Sequence, residues 1–423
     1  MIATRCVPHL LVVLALAALA TLAGACDTNE NGPPHPPDAL DFPVGVTADP
    51  SGTLVWVVSG NFDLAHAGAA VLAIDTRTNT FVPSLGFQVG SFPGTFAVLA
   101  KDGRAVAGYV ASRNDDHLYW VAFGGDDPAR PTVTCPGGKV QGQILACPQS
   151  GARDQVTVDD VALDAGADPF GLVARAGRHP GEPDLLLSGG MADGKLATWT
   201  LGADGTPTLS GNLSLFQGLY GLAVHPTTAR VYATSKLANI FTILGIGARE
   251  NIDDPTTLDT TNPWVSTLGT VAIPEPPAND RARSVAVSAD GTRLYAAYRA
   301  PDSVVVLDIS DTSEGGARGR VLSKIPLAND PSDIIVVPPH EDVPELVYVS
   351  CYKADSIEVL DMAARATVGH IRTGRGPAGM ALVDRADLGL KRLYVALFQD
   401  AAVGVVELDA TSPFYHTEVA EIR

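Results

Sequence analysis

Residues 283–308 read RSVAVSADGTRLYAAYRAPDSVVVLD, three short apolar runs separated by two polar turns. VAVS, LYAAY and VVVLD are built from β-forming residues, and Asp290-Gly291 between the first two supplies the positive backbone φ that a tight hairpin needs. A run such as VVVLD, apolar at consecutive positions rather than alternate ones, predicts a strand covered on both faces. One such sheet cannot cover itself, so the segment demands neighbours of the same kind.

The chain supplies them. Residues 331–361 read PSDIIVVPPHEDVPELVYVSCYKADSIEVLD, and residues 377–409 read PAGMALVDRADLGLKRLYVALFQDAAVGVVELD. Earlier copies are PVGVTADPSGTLVWVVSGNFDLAHAGAAVLAID from Pro43, a looser one from Pro93, one from Pro169 through LLLSGGMADGKLATWTL, and YGLAVHPTTARVYATSKLANIFTIL from Tyr220. Clean copies open about every 46 to 50 residues, a period that suits a blade of three or four antiparallel strands. The expectation is an all-β, seven-bladed β-propeller of antiparallel sheets around a central channel, spanning residues 41–423, with blades starting near 43, 93, 169, 219, 283, 331 and 377. FYHTEVAEIR at the C-terminus reads as the outer strand of the last blade.

The Pro-Gly openings, Asp-Gly turns, strands such as LYVA and endings such as VLAID resemble the YVTN-type β-propeller repeat family. That resemblance implies the fold and little about activity, because such proteins include surface components, binding modules and enzymes. Two stretches, 124–167 and 245–280, expand their copies beyond the pattern, and loops of this sort are where a propeller acquires individuality.

Composition narrows the partners. Hydrophobic residues make up 46 % of the 423 and charged residues 18 %, with 42 Gly and 31 Pro, a mixture that fits buried strands and turns better than long amphipathic helices. A net charge of -18 argues against nucleic acid and anionic lipid headgroups and favours a soluble monomer. Arg5, the apolar run from Leu10 to Ala20 and the small residues before Cys26 form an export signal over 1–25. LAGAC there resembles the bacterial lipobox, which implies lipid on Cys26 and a place at the cell envelope, periplasmic or outer-membrane associated, with the lipid as the only membrane contact. Residues 26–40 are rich in proline and read as a flexible linker that leaves His35 in solvent.

In an oxidising compartment, Cys135 and Cys147, close together in one expanded loop, are expected to form a disulfide, while Cys351 after VYVS reads as a small core residue. No phosphate-binding loop, paired-glycine fingerprint, HExxH or GxSxG stands in the chain, and its histidines lie singly. No catalytic residue and no metal ligand set can be named. A polar residue recurs between second and third strands (Asn61 and Asp63, Asn114 and Asp115, Asp193, Asn239, Asp302, Asp355, Asp400), read first as a turn cap and secondly as carboxylates that could hold Ca²⁺. Arg113, Arg299 and Lys353 in the same loops, with Arg281, Arg283 and Arg375 at strand openings, should face one end of the ring and could select an anion. The candidate ligand face is therefore Asn61, Asp63, Arg113, Arg283, Arg299, Lys353 and Arg375.

Three functions fit. The leading one is a non-catalytic module binding a protein, glycan or small molecule, with no cofactor evident. A lactonase or other hydrolase with a channel-mouth metal is the alternative. Quinone-dependent oxidation comes last, since Trp56, Trp120, Trp199 and Trp264 show no spacing for stacking a cofactor.

Overall fold

The computed structural model describes residues 32–423 except 129, 148–167, 179–180, 247–248, 251–257, 260–264, 275–281, 311–318 and 341–342. The leader, Cys26, Arg281 and Trp264 lie outside the described residues.

Hairpins form where the local sequence asks for them. Gly52, Gly103 and Gly291 take φ of 66°, 74° and 73° at the first turns of their repeats, a conformation that costs glycine nothing. Each repeat then folds into its own antiparallel sheet of consecutive strands, for example Ala282–Val287, Arg293–Tyr298, Ser303–Asp308 and Arg320–Pro326. The middle strands are buried along their length, as in Leu54–Ser59 and Arg230–Ser235, because neighbouring sheets cover both faces.

The first strands of the sheets run Pro43–Ala48, Pro93–Lys101, Pro169–Arg175, Leu219–Val224, Ala282–Val287, Pro331–Val337 and Pro377–Arg385. Each packs against the next, and Pro377–Arg385 packs against Pro43–Ala48, so these strands surround a common axis. The result is an all-β propeller of antiparallel sheets around a central channel. The outermost strand of the last sheet is Glu418–Ile422, so the two chain ends do not share a sheet. Closure rests on side chains: Val46, Val55, Val57 and Leu72 pack with Ala381, Tyr394, Ala396 and Val403 in one buried cluster. The Tyr394 hydroxyl crosses the same seam, 3.1 Å from Thr76 O and 2.8 Å from Asn79 Oδ1.

The Cys135–Cys147 disulfide is present. It ties the outer strand Thr132–Thr134 to the hairpin Lys139–Gln141 and Ile144–Ala146, and that hairpin pairs in parallel with Phe87–Val89 at the edge of the first sheet. Ile144 reaches past that edge into the closure cluster. This part of the expansion thus protects an edge strand and binds the second repeat onto the first.

One expectation fails. His35 is 1 % exposed, with its ring nitrogens 2.8 Å from Ser59 Oγ and Pro36 O. Ala67 N donates to Pro33 O at 2.9 Å, and Leu40 enters the closure cluster. Proline richness signals an extended backbone rather than a loose one, and an extended segment can lie along a surface and bury its few apolar groups.

Candidate ligand site at the channel mouth

Every innermost strand carries a bulge near its start, between Pro43 and Gly45, Pro93 and Phe96, Pro169 and Gly171, Leu219 and Leu222, Ala282 and Val285, Pro331 and Ile334, and Pro377 and Met380. The extra residue lifts peptide groups out of the ladder on the channel side. Before these strands the chain turns through left-handed residues, among them Phe42, Phe92, Asp168, Gly218, Asp330 and Gly376. The carbonyls of several then accept from the residue after a second strand: Arg113 N to Phe92 O at 3.2 Å, Lys236 N to Gly218 O at 2.7 Å, Tyr352 N to Asp330 O at 2.9 Å and Phe398 N to Gly376 O at 3.0 Å. One backbone device therefore delivers Arg113, Lys236, Tyr352 and Phe398 to the same end of the channel.

A cavity of about 350 Å³ opens there. Arg113, Arg299, Phe62, Tyr352, Tyr220 and Asp333 line it, along with hydroxyls of Thr47, Thr95, Ser284 and Ser332. Guanidinium groups enter it from the second and the fifth repeats. Arg113 pairs with Asp168, and Arg299 pairs with Asp330 while its Nε lies 2.9 Å from Pro331 O and its Nη2 2.9 Å from Ser332 Oγ. Each guanidinium thus reaches to the aspartate that opens the next sheet, which holds the planar donor fork in place. Tyr220 stacks on Phe170 at 4.1 Å, with the Arg283 guanidinium 4.9 Å and Lys236 Nζ 5.4 Å from its ring centre. Burial raises the Tyr220 hydroxyl above its ordinary value, against the pull of Arg283 and Arg299. The arc from the sixth repeat round to the first is aromatic: Phe62 lies 5.1 Å from Phe92 and 5.3 Å from Phe398, and Phe398 lies 6.0 Å from Tyr352.

The expected face divides accordingly. Arg113 and Arg299 line the cavity, and Arg283 lies behind Tyr220. Asn61 is fully buried and holds the loop that presents Phe62, bonding His66 N and O at 3.0 Å and Ser91 Oγ at 2.8 Å. Asp63 caps Ala65 N at 3.1 Å. Lys353 pairs with Asp330 at 3.1 Å and Arg375 with Asp400 at 2.7 Å, both on the exposed rim outside the cavity. The recurrent Asn and Asp residues serve as caps and ties: Asp193 accepts from Lys195 N at 2.9 Å, Asp355 from Gly376 N at 2.9 Å, and Asn239 from the Tyr298 hydroxyl at 2.7 Å. Among the described residues no three His, Cys, Asp or Glu side chains gather as a metal-holding group. Trp56, Trp120 and Trp199 are packed in the core, away from the cavity.

Sequence reasoning missed Phe62, Tyr352, Tyr220 and Asp333. Asp333 did leave a signal, because the third residues of the innermost strands are Gly45, Thr95, Gly171, Gly221, Ser284, Asp333 and Gly379. Small residues are required there: a Cβ on Gly171 would stand 2.2 Å from Tyr220 O, and one on Gly221 2.6 Å from Arg283 O. Asp333 alone among them is charged.

In sequence, no family model and no curated protein matches this chain. Solved structures do. The likeness is one of fold. A protein of Bacteroides fragilis named a "putative 6-phosphogluconolactonase" superposes with a TM-score of 0.58 at 15 % identity, over 90 % of this chain and 94 % of that one. A Bacteroides uniformis protein of the same description gives 0.53 at 17 % identity, over 88 % and 93 %. Hydrazine synthase of Kuenenia stuttgartiensis gives 0.57 at 14 % identity, over 88 % and 97 %.

Proposed function

We propose that this chain is an exported propeller of the YVTN-repeat type, lipid-anchored through Cys26 at the cell envelope, that binds a small anionic molecule at its channel mouth. In this reading the propeller has seven blades, which the circuit of contacts among innermost strands from Pro43–Ala48 round to Pro377–Arg385 supports. The binding reading rests on one observation: a cavity of about 350 Å³ has fixed guanidiniums of Arg113 and Arg299 in its wall, on repeats three apart round the ring, and aromatic rings between their far sides. Such a site supplies charge-assisted donors for an anion and apolar faces for the rest of the molecule.

Calorimetric titration with D-gluconate and 6-phospho-D-gluconate tests it. Arg299→Gln is the cleaner variant, because Asp330 keeps Lys353 as partner. Loss of a charge-assisted bond worth about 1.5–3 kcal/mol should weaken binding about 10- to 100-fold. Equal affinity in wild type and variant would defeat the proposal.

A second reading is lactone hydrolysis, which the names of the two Bacteroides neighbours and the carboxylate of Asp333 in the cavity favour. Here Asp333 would take a proton from the attacking water. Turnover of 6-phosphogluconolactone no faster than in buffer would remove it.

A further inference from the structure

The third residue of an innermost strand has a structural task in two of the repeats. Thr95 Oγ1 accepts from Leu172 N at 3.0 Å and lies 3.2 Å from Phe170 O, tying its strand to the next one. Asp333 does the equivalent: its Oδ2 accepts from Met380 N at 2.7 Å, and Met380 is the fourth residue of its strand just as Leu172 is of its own. A threonine hydroxyl therefore suffices for this bridge. A carboxylate there carries a desolvation cost that the hydroxyl does not.

What the carboxylate adds is acceptor capacity. Its two oxygens offer about four lone-pair sites. Ile334 N takes one at 2.8 Å, Met380 N a second and the Ser284 hydroxyl a third. The remainder faces a cavity that Asp333 lines together with Ser284 and Ser332, and Ser332 Oγ is itself 2.9 Å from the Arg299 guanidinium. A strong acceptor, two hydroxyls and an anchored cation thus stand side by side. Burial raises the Asp333 carboxyl above its ordinary value, against the hydrogen bonds from Ser284, Met380 N and Ile334 N, which lower it.

We infer that Asp333 is a ligand-contacting residue that accepts a hydrogen bond from a hydroxyl of the bound molecule, so that the ligand class is a hydroxylated anion, its charge on Arg299 and its hydroxyls on Asp333 and Ser284. This rests on the anion-site reading above and narrows it. A site built to bond a hydroxyl rejects the analogue without one, since its own polar group is then left unpartnered.

The test compares D-gluconate with hexanoate, the same carboxylate without hydroxyls, in calorimetric titrations of wild type, Asp333→Thr and Asp333→Asn. In wild type gluconate should bind at least tenfold more tightly than hexanoate. In Asp333→Thr, which keeps the bridge as Thr95 does, the two affinities should come within about threefold, with the melting temperature retained. Unchanged discrimination in a folded variant would overturn the inference while leaving the anion site standing. Failure of both variants to fold would assign the carboxylate to the bridge and overturn it as well. Wild type that binds neither probe would remove the anion site and this inference together.

Discussion

Asp41 shows how a half-buried side chain can be held against its own preference. Burial first, and the neighbouring Asp63 second, push its carboxyl up to about 6, with His66 acting the other way. A raised carboxyl favours the folded state at low pH, and that contribution is lost as pH rises from the unfolded value near 3.8 through 6. Asp41→Asn should therefore raise the melting temperature at pH 8 and make little difference at pH 3.5, as a thermal scan at the two pH values would show. His35 works in the opposite sense. Burial holds it down to about 4, so its contribution is lost as pH falls from 6.5 towards 4, in wild type and variant alike. Cys351 is inert for a similar reason: burial first, then nearby Glu358, push its thiol up to about 12, which leaves no thiolate to react. Its core role was readable from VYVS, whereas the burial of His35 was not, because nothing within a proline-rich segment says what it will lie against.

At the scale of elements, the hairpins were legible because their causes are local. Asp-Gly turns and doubly apolar strands act within about ten residues, and the strands formed where those signals stood. The expanded loop after Phe123 was legible only in its disulfide. That the loop would lay a hairpin along Phe87–Val89 depends on an edge contributed by another repeat. Cys135 and Cys147 are 12 residues apart, and closing so short a loop restricts the unfolded chain by about 3 kcal/mol. Replacing both by alanine should lower the denaturation midpoint by a corresponding amount, and reductant should do the same to wild type alone. A melting curve unmoved by either would show that the clasp contributes nothing.

For the whole molecule the decisive junction is the seam between the last sheet and the first, where, among the described residues, no shared strand joins the two. Backbones come very close there: a Cβ on Gly379 would stand 2.7 Å from Gly45 Cα and 2.9 Å from Val44 O. Neither neighbour is a flexible side chain, so Gly379→Ala must push the innermost strands apart, at about 1–3 kcal/mol. Hydrogen exchange should report the opening first in the first and last sheets. The same substitution at Gly211, where nothing lies within 4 Å, is the control and should leave the seam intact.

The amino-acid sequence by itself determined the repeating antiparallel sheets, the need for each to be covered by its neighbours and the cysteine pairing, because turn chemistry, strand pattern and loop length are properties of short stretches. Only the tertiary structure decided which side chains share the channel. Phe62, Arg113, Tyr220, Arg299, Asp333 and Tyr352 come from five repeats, and residues spread in this way along a chain carry no mutual signal until closure of the ring brings them to one cavity.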